Sequence, residues 1–144
     1  MERIKIKLPE KFYFSTTIKI RITDLNYSGH VGNDVFLSLI HEARQQFLNY
    51  YGYSEMLFEG VELIMVDAAI EFKKELAYKD EVCISVAAGN FNKTGFDVFY
   101  KLELISEREN ILAGKAKTGM LCFNYANKKI VSVPEAAKQK LFAE

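Results

Sequence analysis

Between Thr23 and Asp34 the chain reads Thr-Asp-Leu-Asn-Tyr-Ser-Gly-His-Val-Gly-Asn-Asp, a segment dense in side chains suited to acid–base chemistry. Histidine titrates near pH ~6.5, so His30 can serve as a general base. Gly29 and Gly32 let a ligand approach the backbone closely. If a helix follows, its first N–H groups can polarise an acyl carbonyl and hold an oxyanion. The segment is thus equipped for acyl chemistry, but for each polar residue taken alone the simpler interpretation is favoured: it bonds the loop backbone or caps the helix.

Periodicity on either side of this loop predicts the elements that position it. In residues 12–22, isoleucines alternate with charged residues, as in a half-buried strand. After the loop the apolar spacing becomes that of a helix from about Asp34 to Tyr50, with Gly32 or Asn33 as its N-cap. Further strands are predicted over residues 61–72, 81–88, 96–104 and 112–125, and a short helix over 134–142 that begins at a proline.

This order of strand, long helix, four strands and short helix predicts an α+β fold. The turns at 77–80, 90–95 and 107–110 suit antiparallel hairpins, so we expect a meander. The sheet of about five strands must wrap around the one long apolar helix. One helix cannot cover five strands, and the remaining apolar surface and open edge favour dimerisation. No repeat or linker interrupts the chain, so we expect one domain over residues 1–144.

Composition argues against several functions. The 144 residues carry 19 basic and 19 acidic side chains, which gives no electrostatic footprint for nucleic acid. No apolar run could cross a bilayer and no secretory signal is apparent, so we expect a cytoplasmic protein. His30, His41, Cys83 and Cys122 have no metal-ligand spacing, so we expect no metal and no cofactor. Both cysteines are predicted to be small buried side chains within strands.

The loop resembles the signature of the 4-hydroxybenzoyl-CoA thioesterase branch of the hot-dog superfamily. That signature runs roughly Asp-x-Asp-x-x-Gly-His-Val-Asn-Asn, followed by a helix that ends in Glu-Ala-Arg. The matching residues are Asp24, Gly29, His30, Val31, Asn33 and Glu42-Ala43-Arg44. The likeness covers nearly the whole chain, including Asp80, 92–96, 113–116 and Pro134-Glu135. It implies a hot-dog fold, hydrolysis of acyl thioesters, and a homodimer or homotetramer whose site lies across a subunit interface.

Position 26 departs from the signature, because Asn26 stands where the second Asp is expected. In members with the usual signature that Asp is the nucleophile or the general base. An amide cannot take a proton at neutral pH, but Asn26 can orient a water or bond to the thioester carbonyl. The base is then expected among Asp24, His30 and Glu42, and the resemblance implies that Asp24 holds the loop and tunes His30.

Further candidates lie around the loop. Glu42 borders the apolar face of the helix on which some hot-dog thioesterases carry a catalytic carboxylate; the alternative is an exposed glutamate paired with Arg44 or Gln45. Substrate binding is expected at the N–H groups of Val31 to Asn33. Lys93 matches a position where relatives carry basic residues near the coenzyme A phosphates, and a solvated turn lysine is the alternative.

Three functions remain open. The first is a thioesterase that acts on acyl-CoA or on an acyl-carrier-protein thioester. The second is a non-hydrolytic hot-dog module that binds acyl-CoA, which Asn26 favours. A hot-dog dehydratase is the weakest, since no second catalytic carboxylate pattern stands out.

Overall fold

The computed structural model describes residues 1–142 as one sheet packed on one long helix. Its elements are β1 (Phe14–Lys19), a short 3-10 turn (Ile22–Asp24), α1 (Asn33–Tyr50), β2 (Glu62–Phe72), β3 (Glu81–Gly89), β4 (Gly95–Leu104), β5 (Ile111–Asn124), β6 (Lys129–Ile130) and α2 (Glu135–Leu141). The predicted helices and strands are confirmed, although the first strand is shorter at both ends. Gly32 is the N-cap of α1, and Pro134 is the N-cap of α2. No helix within residues 1–142 is both long and apolar enough to span a membrane.

The core lies between the sheet and α1, as the apolar periodicity requires. On β3, Val82, Ile84 and Val86 are buried in alternation with half-buried neighbours. On α1, the buried side chains recur at helical spacing and join the same cluster: Phe36, Leu39, Ile40, Ala43, Phe47 and Leu48. The prediction of a sheet wrapped around one helix is therefore confirmed.

The strand order corrects the predicted meander. The order across the sheet is β1-β3-β4-β5-β2, with β6 beside β5, so β2 does not form a hairpin with β3. Instead β2 pairs with β5, and residues 73–80 cross the end of the sheet to reach β3. A short turn at 77–80 looks the same in sequence whether the chain reverses or crosses, so turn length alone misled the prediction.

The crossing segment decides the position of the functional loop. The N–H groups of Lys73 and Lys74 both donate to the carbonyl of Ala113 on β5, at 2.9 and 3.1 Å. Further along, the carbonyl of Leu76 accepts the N–H of Val31 at 2.9 Å. The segment 73–76 therefore lies against the loop that precedes α1.

Candidate active site

The loop before α1 closes as a tight turn around Asn26. The N–H of Asn26 donates to the carbonyl of His30 at 2.8 Å, and the N–H of Gly29 donates to the carbonyl of Asn26 at 3.1 Å. Gly29 has φ +82°, a left-handed conformation that glycine adopts without strain. The Oδ1 of Asn26 accepts both the N–H of Ser28 at 2.9 Å and its hydroxyl at 2.6 Å. Within residues 1–142 the Nδ2 group has no hydrogen-bond acceptor, so it is the free end of this amide.

Asp24 is committed to holding the loop. It is buried, and its Oδ2 accepts the N–H of Arg21 at 2.8 Å while Oδ1 lies 3.3 Å from the Arg21 guanidinium. Its backbone carbonyl accepts the N–H of Gly32 at 3.4 Å. This geometry favours the loop-holding role over that of a base.

The first turn of α1 keeps two backbone donors free. A Cβ on Gly32 would lie 2.5 Å from Oδ1 of Asp34 and 3.7 Å from Cβ of Asn26, so a glycine lets the loop pack against the helix start. The N–H groups of Val31 and Gly32, predicted to face a substrate carbonyl, are already bonded within the protein. The N–H groups of Asn33 and Asp34 have no acceptor among residues 1–142. Of the three predicted donors, only Asn33 is therefore available.

His30 has a carboxylate partner that the sequence did not indicate. Its Nε2 lies 3.2 Å from Oε2 of Glu75 in the crossing segment, with the two side chains 42% and 76% exposed. The charged run Lys73-Lys74-Glu75 directly after β2 was the only signal in the sequence, and it gave no information about the loop because β2 was expected to pair with β3.

A cavity of about 220 Å³ opens beside the helix start, between the loop and the crossing segment. It is lined by Val31, Asn33, Phe36 and residues 72–75. Lys73 and Lys74 are both exposed, and the Lys73 ammonium lies 3.3 Å from the Glu71 carboxylate. These two lysines, unlike Lys93, lie in the crossing segment that packs against the loop.

Glu42 and Lys93 lie away from His30. Glu42 is exposed, accepts Nε2 of Gln46 at 2.7 Å, and faces a separate groove beside β1 together with Asp24. Its neighbour is thus Gln46, not Arg44 or Gln45 as the alternative interpretation expected. Lys93 lies in the turn before β4, while the loop lies near the far end of that strand, roughly 30 Å away at the usual rise of a strand. Lys93 does not reach the loop within one chain.

A buried polar network crosses the core away from the loop. Arg44 is only 5% exposed, and its guanidinium lies 3.3 Å from Glu55 and donates to the Tyr100 hydroxyl at 3.1 Å. That hydroxyl also bonds to Thr118 at 2.7 Å. Burial raises the pKa of the Tyr100 phenol, which therefore stays protonated. The network satisfies polar groups inside the sheet–helix core and is a structural feature.

The two cysteines differ in burial, which corrects the prediction that both are buried. Cys122 is buried and Cys83 is half-buried. Burial raises the pKa of the Cys122 thiol to about 11. In the described part of the chain, no three potential metal ligands among His, Cys, Asp and Glu lie close enough to share an ion.

Comparison with known proteins agrees with this architecture. The chain matches the thioesterase-like superfamily over residues 20–141. A 1,4-dihydroxy-2-naphthoyl-CoA hydrolase from Rippkaea orientalis is 27% identical over 128 residues, which cover 87% of this chain and 92% of that protein. A thioesterase-superfamily structure from Jannaschia sp. CCS1 superposes with a TM-score of 0.82 at 16% identity, covering 94% of this chain and 84% of that one. A 1,4-dihydroxy-2-naphthoyl-CoA thioesterase structure from Synechocystis superposes with a TM-score of 0.78 at 20% identity, covering 90% and 95%. The predicted hot-dog fold is confirmed, and the chain belongs to the thioesterase-like superfamily.

Proposed function

We propose that this protein hydrolyses acyl-CoA thioesters to a free acid and coenzyme A, with the loop of residues 23–34 as its active site. Family membership supports thioester hydrolysis, and the relatives named for 1,4-dihydroxy-2-naphthoyl-CoA support a coenzyme A thioester. The observation that carries the proposal is the placement of His30 three and four residues before the free N–H groups of Asn33 and Asp34. A base and an oxyanion site are thus offered by one short loop.

The proposed reaction uses these groups in sequence. His30 takes a proton from water, and the resulting hydroxide oxygen attacks the thioester carbonyl carbon. The oxyanion is held by the N–H groups of Asn33 and Asp34, whose dipoles are fixed before the reaction begins. The carbon–sulfur bond then breaks, and the proton returns from His30 to the leaving thiolate. Asn26 contributes its free Nδ2 as a donor to the carbonyl or to the attacking water.

A hydrolysis assay with a free-thiol reagent tests this proposal across a panel of aliphatic and aromatic acyl-CoAs and one acyl-carrier-protein thioester. His30→Ala should lower kcat on the order of a hundredfold, as expected for loss of a general base. His41→Ala is the matched control, since His41 lies on the exposed face of α1, 3.9 Å from Glu55. Near-native turnover in His30→Ala, with activity abolished in Glu42→Ala, would place the base on the helix instead.

The alternative is a module that binds acyl-CoA without hydrolysing it. Asn26 favours this alternative, because the usual carboxylate is absent. Calorimetric binding combined with the thiol assay separates the two functions. If the native protein and Asn26→Asp both bind acyl-CoA but release no thiol from any member of the panel, the binding module replaces the enzyme.

We also propose that the protein forms at least a homodimer through the free edge of β2. This edge strand carries exposed Met65 and Val66, and Leu37 on α1 and Leu57 are also exposed. A partner subunit would be needed to bring a residue such as Lys93 to the loop. Sedimentation equilibrium at micromolar concentration should therefore show a dimer or tetramer, and Val66→Lys should weaken it. A native protein that sediments only as a monomer would remove this proposal.

A further inference from the structure

We propose that Glu75 is a positioning residue that orients the His30 imidazole and determines which ring nitrogen acts as the base. This inference rests on the proposed function, because it requires His30 to be the base. The contact itself is direct: Oε2 of Glu75 lies 3.2 Å from Nε2 of His30. Glu75 comes from the crossing segment and not from the loop, so the site is assembled from two separate parts of the chain.

The backbone on both sides of this contact is fixed. Val31 follows His30, and Leu76 follows Glu75. The N–H of Val31 donates to the carbonyl of Leu76 at 2.9 Å, and Leu76 is fully buried. The loop is tied on its other side, because the carbonyl of His30 accepts the N–H of Asn26 at 2.8 Å. The two side chains therefore start from neighbouring, anchored positions. The anchored backbone keeps the two side chains within reach of each other, and ordering their rotamers remains the entropy cost of the contact.

The charge of Glu75 sets the tautomer of the imidazole. An ionised carboxylate only accepts hydrogen bonds, so a carboxylate 3.2 Å from Nε2 favours the neutral tautomer of His30 that carries its hydrogen on Nε2 and its lone pair on Nδ1. The proton from water then goes to Nδ1, the hydroxide oxygen bonds to the carbonyl carbon, and the carbon–sulfur bond breaks. The proton finally passes from Nδ1 to the thiolate sulfur, while Glu75 keeps its charge throughout. The contact is strongest while the ring is an imidazolium, so Glu75 favours the transition state over the ground state.

Substitutions of Glu75 distinguish this role from a general effect of charge. Glu75→Ala should lower kcat about tenfold, less than loss of the base itself, and should leave KM nearly unchanged. Glu75→Gln should recover little of that loss, because a neutral amide does not stabilise the imidazolium and its NH2 group can also donate to a bare Nε2. Glu107→Ala is the control, since Glu107 is an exposed residue of the same charge in the turn between β4 and β5. A comparable loss in Glu107→Ala would overturn the inference.

A double-mutant cycle with His30→Ala shows whether Glu75 acts through the imidazole. In the His30→Ala background, Glu75→Ala should cause no further loss of kcat. A loss that persists undiminished there, or native kcat in the single mutant Glu75→Ala, would overturn the positioning role while leaving the proposed function intact. A native protein inactive on the whole panel would instead remove the proposed function, and this inference with it.

Discussion

Substitutions of Asn26 separate what the loop amide does for structure from what it does for hydrolysis. Oδ1 closes the turn by accepting two hydrogen bonds from Ser28, whereas Nδ2 has no acceptor within residues 1–142. Asn26→Ala removes both ends of the amide. Asn26→Asp keeps the acceptor and replaces the donor with the carboxylate that the family signature usually carries. Ser28→Ala removes only the hydroxyl bond of 2.6 Å and is the matched structural control.

The expected magnitudes follow from these contacts. Each net hydrogen bond contributes about 0.5–1.5 kcal/mol, with exposed bonds at the low end. Loss of both acceptor bonds in Asn26→Ala should therefore cost about 1–2 kcal/mol, or about 3–6 °C in Tm for a domain of this size. Ser28→Ala should lose about half as much, and Asn26→Asp should melt close to the native protein. For hydrolysis, Asn26→Ala should be impaired well beyond Ser28→Ala, while Asn26→Asp should retain activity.

Thermal melting and kcat measured on the same preparations test both statements. If Ser28→Ala loses as much kcat as Asn26→Ala, the amide serves only the geometry of the turn. If Asn26→Asp melts as early as Asn26→Ala, the assignment of Oδ1 as the turn acceptor is wrong. If Asn26→Asp is stable but inactive, this loop cannot use the usual carboxylate and its chemistry depends on the amide donor.

Three other predictions concern the core and the chemistry. Glu55→Ala leaves the Arg44 guanidinium buried without its carboxylate, so urea denaturation should show about 2–4 kcal/mol lower stability; Glu109→Ala is the control, and a loss below 1 kcal/mol would contradict the reasoning. Because burial raises the pKa of the Cys122 thiol to about 11, its thiolate is scarce at pH 8 and forms only as pH approaches that value. Iodoacetamide at pH 8 should thus label only Cys83 in the native protein, as read by peptide mass spectrometry, and labelling of Cys122 before unfolding would refute this. Hydrolysis should survive exhaustive chelation, and activity lost and then restored by one metal ion would overturn the mechanism.

The secondary structure was predictable because its signals are local. The apolar residues change from alternation on β1 to helical spacing on α1, and this change is visible in the sequence. The glycine at the helix start is visible there too. Strand order was not predictable, because β2 and β3 are joined by residues whose turn signal fits either a hairpin or a crossing. The burial of Arg44 was also hidden, since its partner Tyr100 lies 56 residues further along the chain.

The contrast between local signals and contacts of distant residues also explains which site residues could be predicted from the sequence. Asp24, Asn26, His30 and Asn33 lie in one loop, so a local motif was enough to group them. Glu75 depends on how the crossing segment passes the loop, and no local pattern records that. For Lys93 the turn was predicted correctly but its position relative to the loop was not. Lys93 lies before the first residue of β4, whereas the loop lies near the last residue of that strand.

Two of the three candidate bases in and near the loop are engaged in other contacts, which favours His30 as the base. Asp24 is buried and bonded to Arg21, and Asn26 cannot take a proton. Glu42 faces another groove and is bonded to Gln46. His30 precedes the free N–H donors of Asn33 and Asp34 by three and four residues, and an imidazole is a suitable general base. An amide at position 26 is therefore compatible with hydrolysis provided that proton transfer has moved four residues along the loop, from position 26 to His30.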